Sequence, residues 1–199
     1  DQQDKVRLLI DPTSSYAQAA AMAMGRAMDD VIITAASATA FTGETGATST
    51  AAQTAIAAGG AGLTIAKLRT AKQTFDLASV DPSIPRHIVV GPEQITNLLS
   101  TTEVTSSDFN TVKALVQGEI DSFLGFKFTV SNRLAKSGND RTCIAFAQDG
   151  ITLAIGKDVS ARIDERADKS YATQVYYCQS IGATRMEEAK VLGIVCQEA

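Results

Sequence analysis

Residues Ser14 to Ala36 read SSYAQAAAMAMGRAMDDVIITAA, and this stretch decides what kind of fold the chain can adopt. Ala20, Met24, Met28, Val31 and Ala35 recur at spacings of three and four, the interval at which side chains share one face of an α-helix. No Pro interrupts the run and Gly25 is its only Gly. A helix is therefore expected from Tyr16 to about Ala40, with Ser15 as N-cap and Gln18 reaching back to the Ser15 amide in a capping box. Arg26 stands one turn before Asp29 and Asp30, a spacing at which opposite charges support a helix. About 25 residues make a rod of about 37 Å, twice the length of an average globular helix. A compact domain of this size has a radius of gyration of about 16 Å, so the rod must run right across it.

On either side the patterns change. Lys5 to Ile10 reads as a strand leading into an Asp11-Pro12 turn. Phe41 to Gly62 is dominated by Gly, Ala, Thr and Ser, which bury too little apolar area to hold a rigid element, so a long loop with a short extended piece is expected. Its run Gly43 to Thr50 has the glycines of a phosphate-binding loop. It lacks both the Lys that reaches the phosphates and a preceding apolar strand, which leaves a nucleotide site with little support.

Thr64 can cap a helix to about Ala78, with Ile65, Leu68, Ala71, Phe75 and Ala78 on one side. Arg86 to Val90 reads as a short buried strand, and Pro92 at a first helical position opens a helix through Leu99. A further helix is expected over Phe109 to Val116, capped near Ser107 or Asp108. Phe126 to Ser131 alternates at period two, Thr142 to Ala147 is a second strand, and Asp149-Gly150 turns into an apolar stretch ending at Ile155. Ser160 to Arg166, Tyr171 to Arg185 and Ala189 to Cys196 read as three further extended segments. Helices early and antiparallel strands late make an α+β arrangement.

Composition sets bounds on function. The 199 residues are 45% apolar, enough to bury the core of one domain, or of one domain with two lobes. A net charge of −4, aromatics at 6% and no Trp argue against a dedicated nucleic-acid-binding domain, which concentrates cations and stacking platforms. No window approaches 18 uninterrupted apolar residues and no secretion signal opens the sequence, so a soluble protein made inside the cell is expected. Cys143, Cys178 and Cys196 are widely spaced in apolar runs without a C-x-x-C, which suits buried free thiols better than a metal or disulfide framework.

Reactive constellations are sparse. His87 is the one histidine. It opens an apolar strand, where a partly buried structural role fits better than a general base, and no G-x-S-x-G elbow supplies a nucleophile. Asp29-Asp30 and Glu187-Glu188 are sequence neighbours whose side chains diverge, so neither forms a carboxylate dyad. The segment Asp158 to Lys169 mixes acids and bases in a way that fits two readings. It is either a solvated strand edge or a surface where neighbouring subunits pair opposite charges.

The order of these pieces resembles the HK97-type phage major capsid proteins. The spine helix of that family is similar to SSYAQAAAMAMGRAMDDVIITAA. Downstream, LTIAKLRTAK (Leu63 to Lys72), RHIVVGPEQ (Arg86 to Gln94), FLGFKFTVSNRL (Phe123 to Leu134) and YYCQSIGATRMEEAKVLGIVC (Tyr176 to Cys196) follow in the family's order. The resemblance implies an α+β, HK97-like fold with a long spine helix, antiparallel strands of a peripheral domain and a mixed α/β axial lobe. Residues 1–62 would give the end of an extended loop, the spine helix and the Gly/Ala/Thr-rich loop. Residues 63–156 would form mainly the axial lobe, and 157–199 long strands shared between the two. Asp1 to Leu9 would be the returning strand of the extended loop, and the first half of that loop and the preceding arm would then be missing from this sequence.

The implied function is a self-assembling shell of homo-pentamers and homo-hexamers around double-stranded DNA, located in the virion and assembled in the host cytoplasm. Scaffolding, portal and decoration proteins would be further partners, DNA would be touched without sequence preference, and no membrane would be involved. No catalytic, cofactor-binding or metal site is implied. An encapsulin-like nanocompartment shell of the same fold is the alternative, followed by a small enzyme using His87.

Overall fold

The computed structural model describes residues 12–100, 122–169 and 171–198. The strand expected at Lys5 to Ile10 and the helix at Phe109 to Val116 lie outside them. The first element, α1 (Pro12–Ser37), is a single helix of 26 residues, about 39 Å long. Its start at Pro12 rather than Tyr16 places Ser15 inside the helix and overturns the expected Ser15 cap. Pro12 supplies the reason, because its fixed φ suits the first helical position and its missing N–H costs nothing there. The helix ends at Ser37, whose hydroxyl donates to the carbonyls of Ile33 and Thr34. Ala20, Met24, Met28, Val31 and Ala35 are all partly buried, while Tyr16 and Met22 stand exposed. No described helix is long and apolar enough to cross a membrane.

The chain divides into two compact units, residues 1–32 with 153–183 and residues 33–152 with 184–199. The first holds most of α1 and most of two long paired strands, β8 (Ile151–Arg166) and β9 (Ala172–Arg185), joined through a 3-10 turn at Ala167–Lys169. Ser160 lies beside Cys178 and Gly156 beside Ser180, the opposed numbering of an antiparallel ribbon. β9 faces α1 with alternate residues: the Tyr177 hydroxyl donates to the Ala17 carbonyl at 3.2 Å, and the Gln179 amide to that of Met24 at 3.4 Å. The interruption expected between Ile155 and Ser160 does not occur. Gly156, Lys157 and Asp158 read as a turn by propensity, and pairing with β9 carries the strand through them.

The second unit begins with the hairpin β1 (Ala40–Thr42) and β2 (Thr48–Thr50), in register from Ala40↔Thr50 to Thr42↔Thr48. Gly43 and Gly46, at φ 89° and 67°, supply the left-handed conformations of its turn. Helix α2 (Ile65–Leu77) is capped as expected, the Thr64 hydroxyl accepting from the Lys67 amide at 3.3 Å. Strand β3 (Arg86–Val90) and helix α3 (Pro92–Ser100) follow. Next come β4 (Ser122–Phe123), β5 (Phe126–Val130), β6 (Lys136–Ser137), β7 (Asp140–Ala147) and, after a 3-10 turn at Glu188–Lys190, β10 (Val191–Gln197).

These strands form one sheet in the order β10-β7-β3-β5-β4, with β6 paired to one end of β7. Only β3 and β5 run parallel, and the connection between them carries α3, as a parallel crossover requires. Arg86, Ile88 and Val90 of β3 point inwards with period two, and α2 lays Leu68, Ala71 and Phe75 into the same core. Phe75 meets Phe126 at 6.0 Å between ring centroids, and the Arg86 guanidinium lies 5.6 Å above the Phe75 ring. The Lys67 ammonium is buried as well, donating to the carbonyls of Ala61 (2.7 Å), Gly62 (2.9 Å) and Val195 (2.9 Å).

Gly150 closes the turn between β7 and β8 where no side chain fits. A Cβ there would lie 2.8 Å from the Lys190 carbonyl oxygen and 3.1 Å from that of Ala147, both backbone atoms that cannot swing aside. Gly150→Ala is accordingly expected to destabilise the protein by about 1–3 kcal/mol, read as a lower urea midpoint with an unchanged m-value.

Candidate functional site

His87 lies partly buried in β3, its ring stacked on Phe146 with 5.6 Å between centroids and 21° between planes. Burial, and then the Lys127 ammonium beside it, hold its pKa below the ordinary value. Among the described residues none hydrogen-bonds to the ring, so nothing orients it as a base. Glu187 is tied to Lys190 at 2.8 Å, and Lys190 also holds Asp149 at 2.7 Å. Asp29 and Glu188 are exposed and Asp30 is partly buried. Glu187 and Asp149 thus meet on the Lys190 ammonium, an ion-paired arrangement.

The cysteines separate into two environments. Cys143 and Cys196 are buried on the neighbouring strands β7 and β10. The Cys143 thiol donates to Cys196, and this bond together with burial pushes its pKa up. Cys178 departs from the expectation of three buried thiols. It is only half-buried on β9, 2.9 Å from the Ser160 hydroxyl, whose hydrogen bond, with Lys157 nearby, lowers its pKa. Among the described residues no group of three His, Cys, Asp or Glu is placed to hold a metal ion. The Gly43 to Thr50 run is an exposed hairpin that precedes no helix N-terminus, which removes the geometry a phosphate loop needs.

Ionic features that sequence patterns did not single out sit inside the second unit. Glu198, 2% exposed, is gripped by Arg141, by Lys136 at 2.5 Å and by the Gln94 amide at 3.1 Å. Arg141, and then Lys136, lead in holding its carboxyl down to about 2. Arg185 is 4% exposed and donates to three carbonyls: Ala36 at 3.2 Å, Ala38 at 2.8 Å and Thr50 at 2.9 Å. It thereby fastens the C-terminal end of α1 to β2, where a cation also favours the helix dipole. These are fastenings of the fold. Each ties together segments that lie far apart in the sequence.

Within the first unit, the exposed surface includes the ribbon. Its strands of 16 and 14 residues are two to three times the usual length. Among the described residues neither has a second neighbour. Ile155 and Ile163 are each 55% exposed and Val159 is 40% exposed, a row at every fourth position, with Tyr171 and Tyr176 also exposed. The mixed charges of Asp158 to Lys169 are all on the surface. Arg166 and Asp168 pair with each other through two bonds of 2.9 and 2.5 Å, and the Asp158 carboxylate accepts from the Val159 amide. A long two-stranded ribbon with apolar side chains in water is marginal by itself and offers the unpaired backbone and apolar surface on which partner chains associate.

A family model described as phage capsid protein matches residues 1–198. No curated protein matches the sequence. Among solved structures, a chain from Mycobacterium phage Che8 superposes with a TM-score of 0.69 at 23% identity, over 98% of this chain and 66% of that one. The capsid of the cyanophage P-SCSP1u gives 0.71 at 16% identity over 98% and 69%, and the capsid asymmetric unit of cyanophage Pam1 gives 0.72 at 13% over 100% and 72%. The chain thus spans about two thirds of the length of the solved chains it resembles. At these identities the likeness establishes the fold, which is the expected α+β arrangement built on a long helix.

Proposed function

This chain belongs to the phage capsid protein family, and from that premise we propose that it is the major capsid protein of a tailed phage, its copies closing as pentamers and hexamers into an icosahedral head around double-stranded DNA. The observation that carries the reading is the β8–β9 ribbon, with its bare strands and the exposed row Ile155, Val159 and Ile163. A free monomer gains nothing from such a surface, whereas copies that bury it against one another gain about 25 cal/mol for each Å2 of apolar area. Heterologous contacts of this kind close into rings when the rotation allows.

The same proposal assigns residues 1–62 to the peripheral domain, 63–156 mainly to the axial lobe and 157–199 to strands shared by both. It reads the charges of Asp158 to Lys169 as register-setting contacts between copies. A net charge of −4 suits a wall that encloses DNA without gripping it. Scaffolding, portal and decoration proteins are its further partners, and assembly takes place in the host cytoplasm. As a member of a structural family the protein is not an enzyme.

Electron microscopy of the full-length protein, with any scaffold it requires, is expected to show shells or rings. Ile163→Asp is expected to abolish them while leaving a subunit that unfolds within a few degrees of wild type, because the side chain is exposed and its replacement buries a charge only on assembly. Normal shell yield from that variant would remove the ribbon from the interface. Particles filled with an enzyme rather than DNA would favour the nanocompartment reading.

A further inference from the structure

No further inference is drawn: the strongest candidate, the cleft of about 320 Å3 beside α2 lined by Lys72, Asp76, Ser83, Arg86 and Leu124, carries no ligand assignment because Asp76 already pairs with Arg86 at 2.8 Å and the unpartnered Arg86 Nε–H is buried beyond the reach of anything bound there.

Discussion

Arg185→Ala is expected to lower the unfolding free energy by about 3–5 kcal/mol. The guanidinium is 4% exposed and its three acceptors are backbone carbonyls of Ala36, Ala38 and Thr50. Removing it strands the buried Ala36 carbonyl, which then carries its full desolvation penalty, and loses the two part-buried bonds to Ala38 and Thr50 and the packing of the side chain. For a chain of this size each kcal/mol moves the melting temperature by about 2–4 °C, so a fall on the order of 10 °C should appear in a thermal scan. Arg185→Lys should recover only part of it, since a single ammonium cannot reproduce the planar fork that spans the helix end and the hairpin. A melting temperature unchanged in the Ala variant would show that the fastening contributes nothing.

Glu198→Gln is the second large effect, expected at about 3 kcal/mol at neutral pH. The variant keeps the shape of the side chain and removes the charge that Arg141 and Lys136 hold. Arg141, 12% exposed, is left without its counter-ion, whereas Lys136, 42% exposed, can turn to water, which keeps the cost near the low end for a buried pair. The pH dependence gives an independent signature. The folded carboxyl titrates at about 2 against an ordinary 4.5, so its contribution is fully present above about pH 4.5 and is lost as pH falls through 2. Wild type should therefore weaken progressively across that window, and Glu198→Gln should show a flatter profile because its loss is already complete. Parallel profiles for the two proteins from pH 5 to 2 would refute the account.

Neither fastening was legible in the sequence, and the reason is physical. Arg185 binds carbonyls, groups that every residue carries, so no side-chain pattern announces the contact. Glu198 meets partners 57 and 62 positions away, a separation that periodicity cannot see. Local signals served well where local physics decides. The spacing of Met24, Met28 and Val31 marked α1, Thr64 marked the start of α2, and Pro92 the start of α3. They failed where two local signals competed. Ser15 announces a helix start and Asp11-Pro12 a turn, yet the helix begins at Pro12. Gly156 and Asp158 announce a turn, and pairing across the ribbon overrode them. Cys178 sits in an apolar run like its fellows, yet among the described residues its strand pairs with β8 alone, and its thiol is only half-buried.

The placement of β10 has a consequence for how the chain comes into being. Residues 191–197 complete the pairing along β7, and Ile194 also bridges to Ile56, far back in the chain. A ribosome adding about 5–20 residues per second delivers β7 several seconds before the strand that covers it. During that interval the nascent chain holds an uncovered apolar strand, and the whole ribbon is synthesised before the sheet can close. Closing this sheet thus waits for β10 and has long loops to close, the slow regime for contacts between distant positions. The waiting time is a window in which holding factors act and in which crowded copies can mispair.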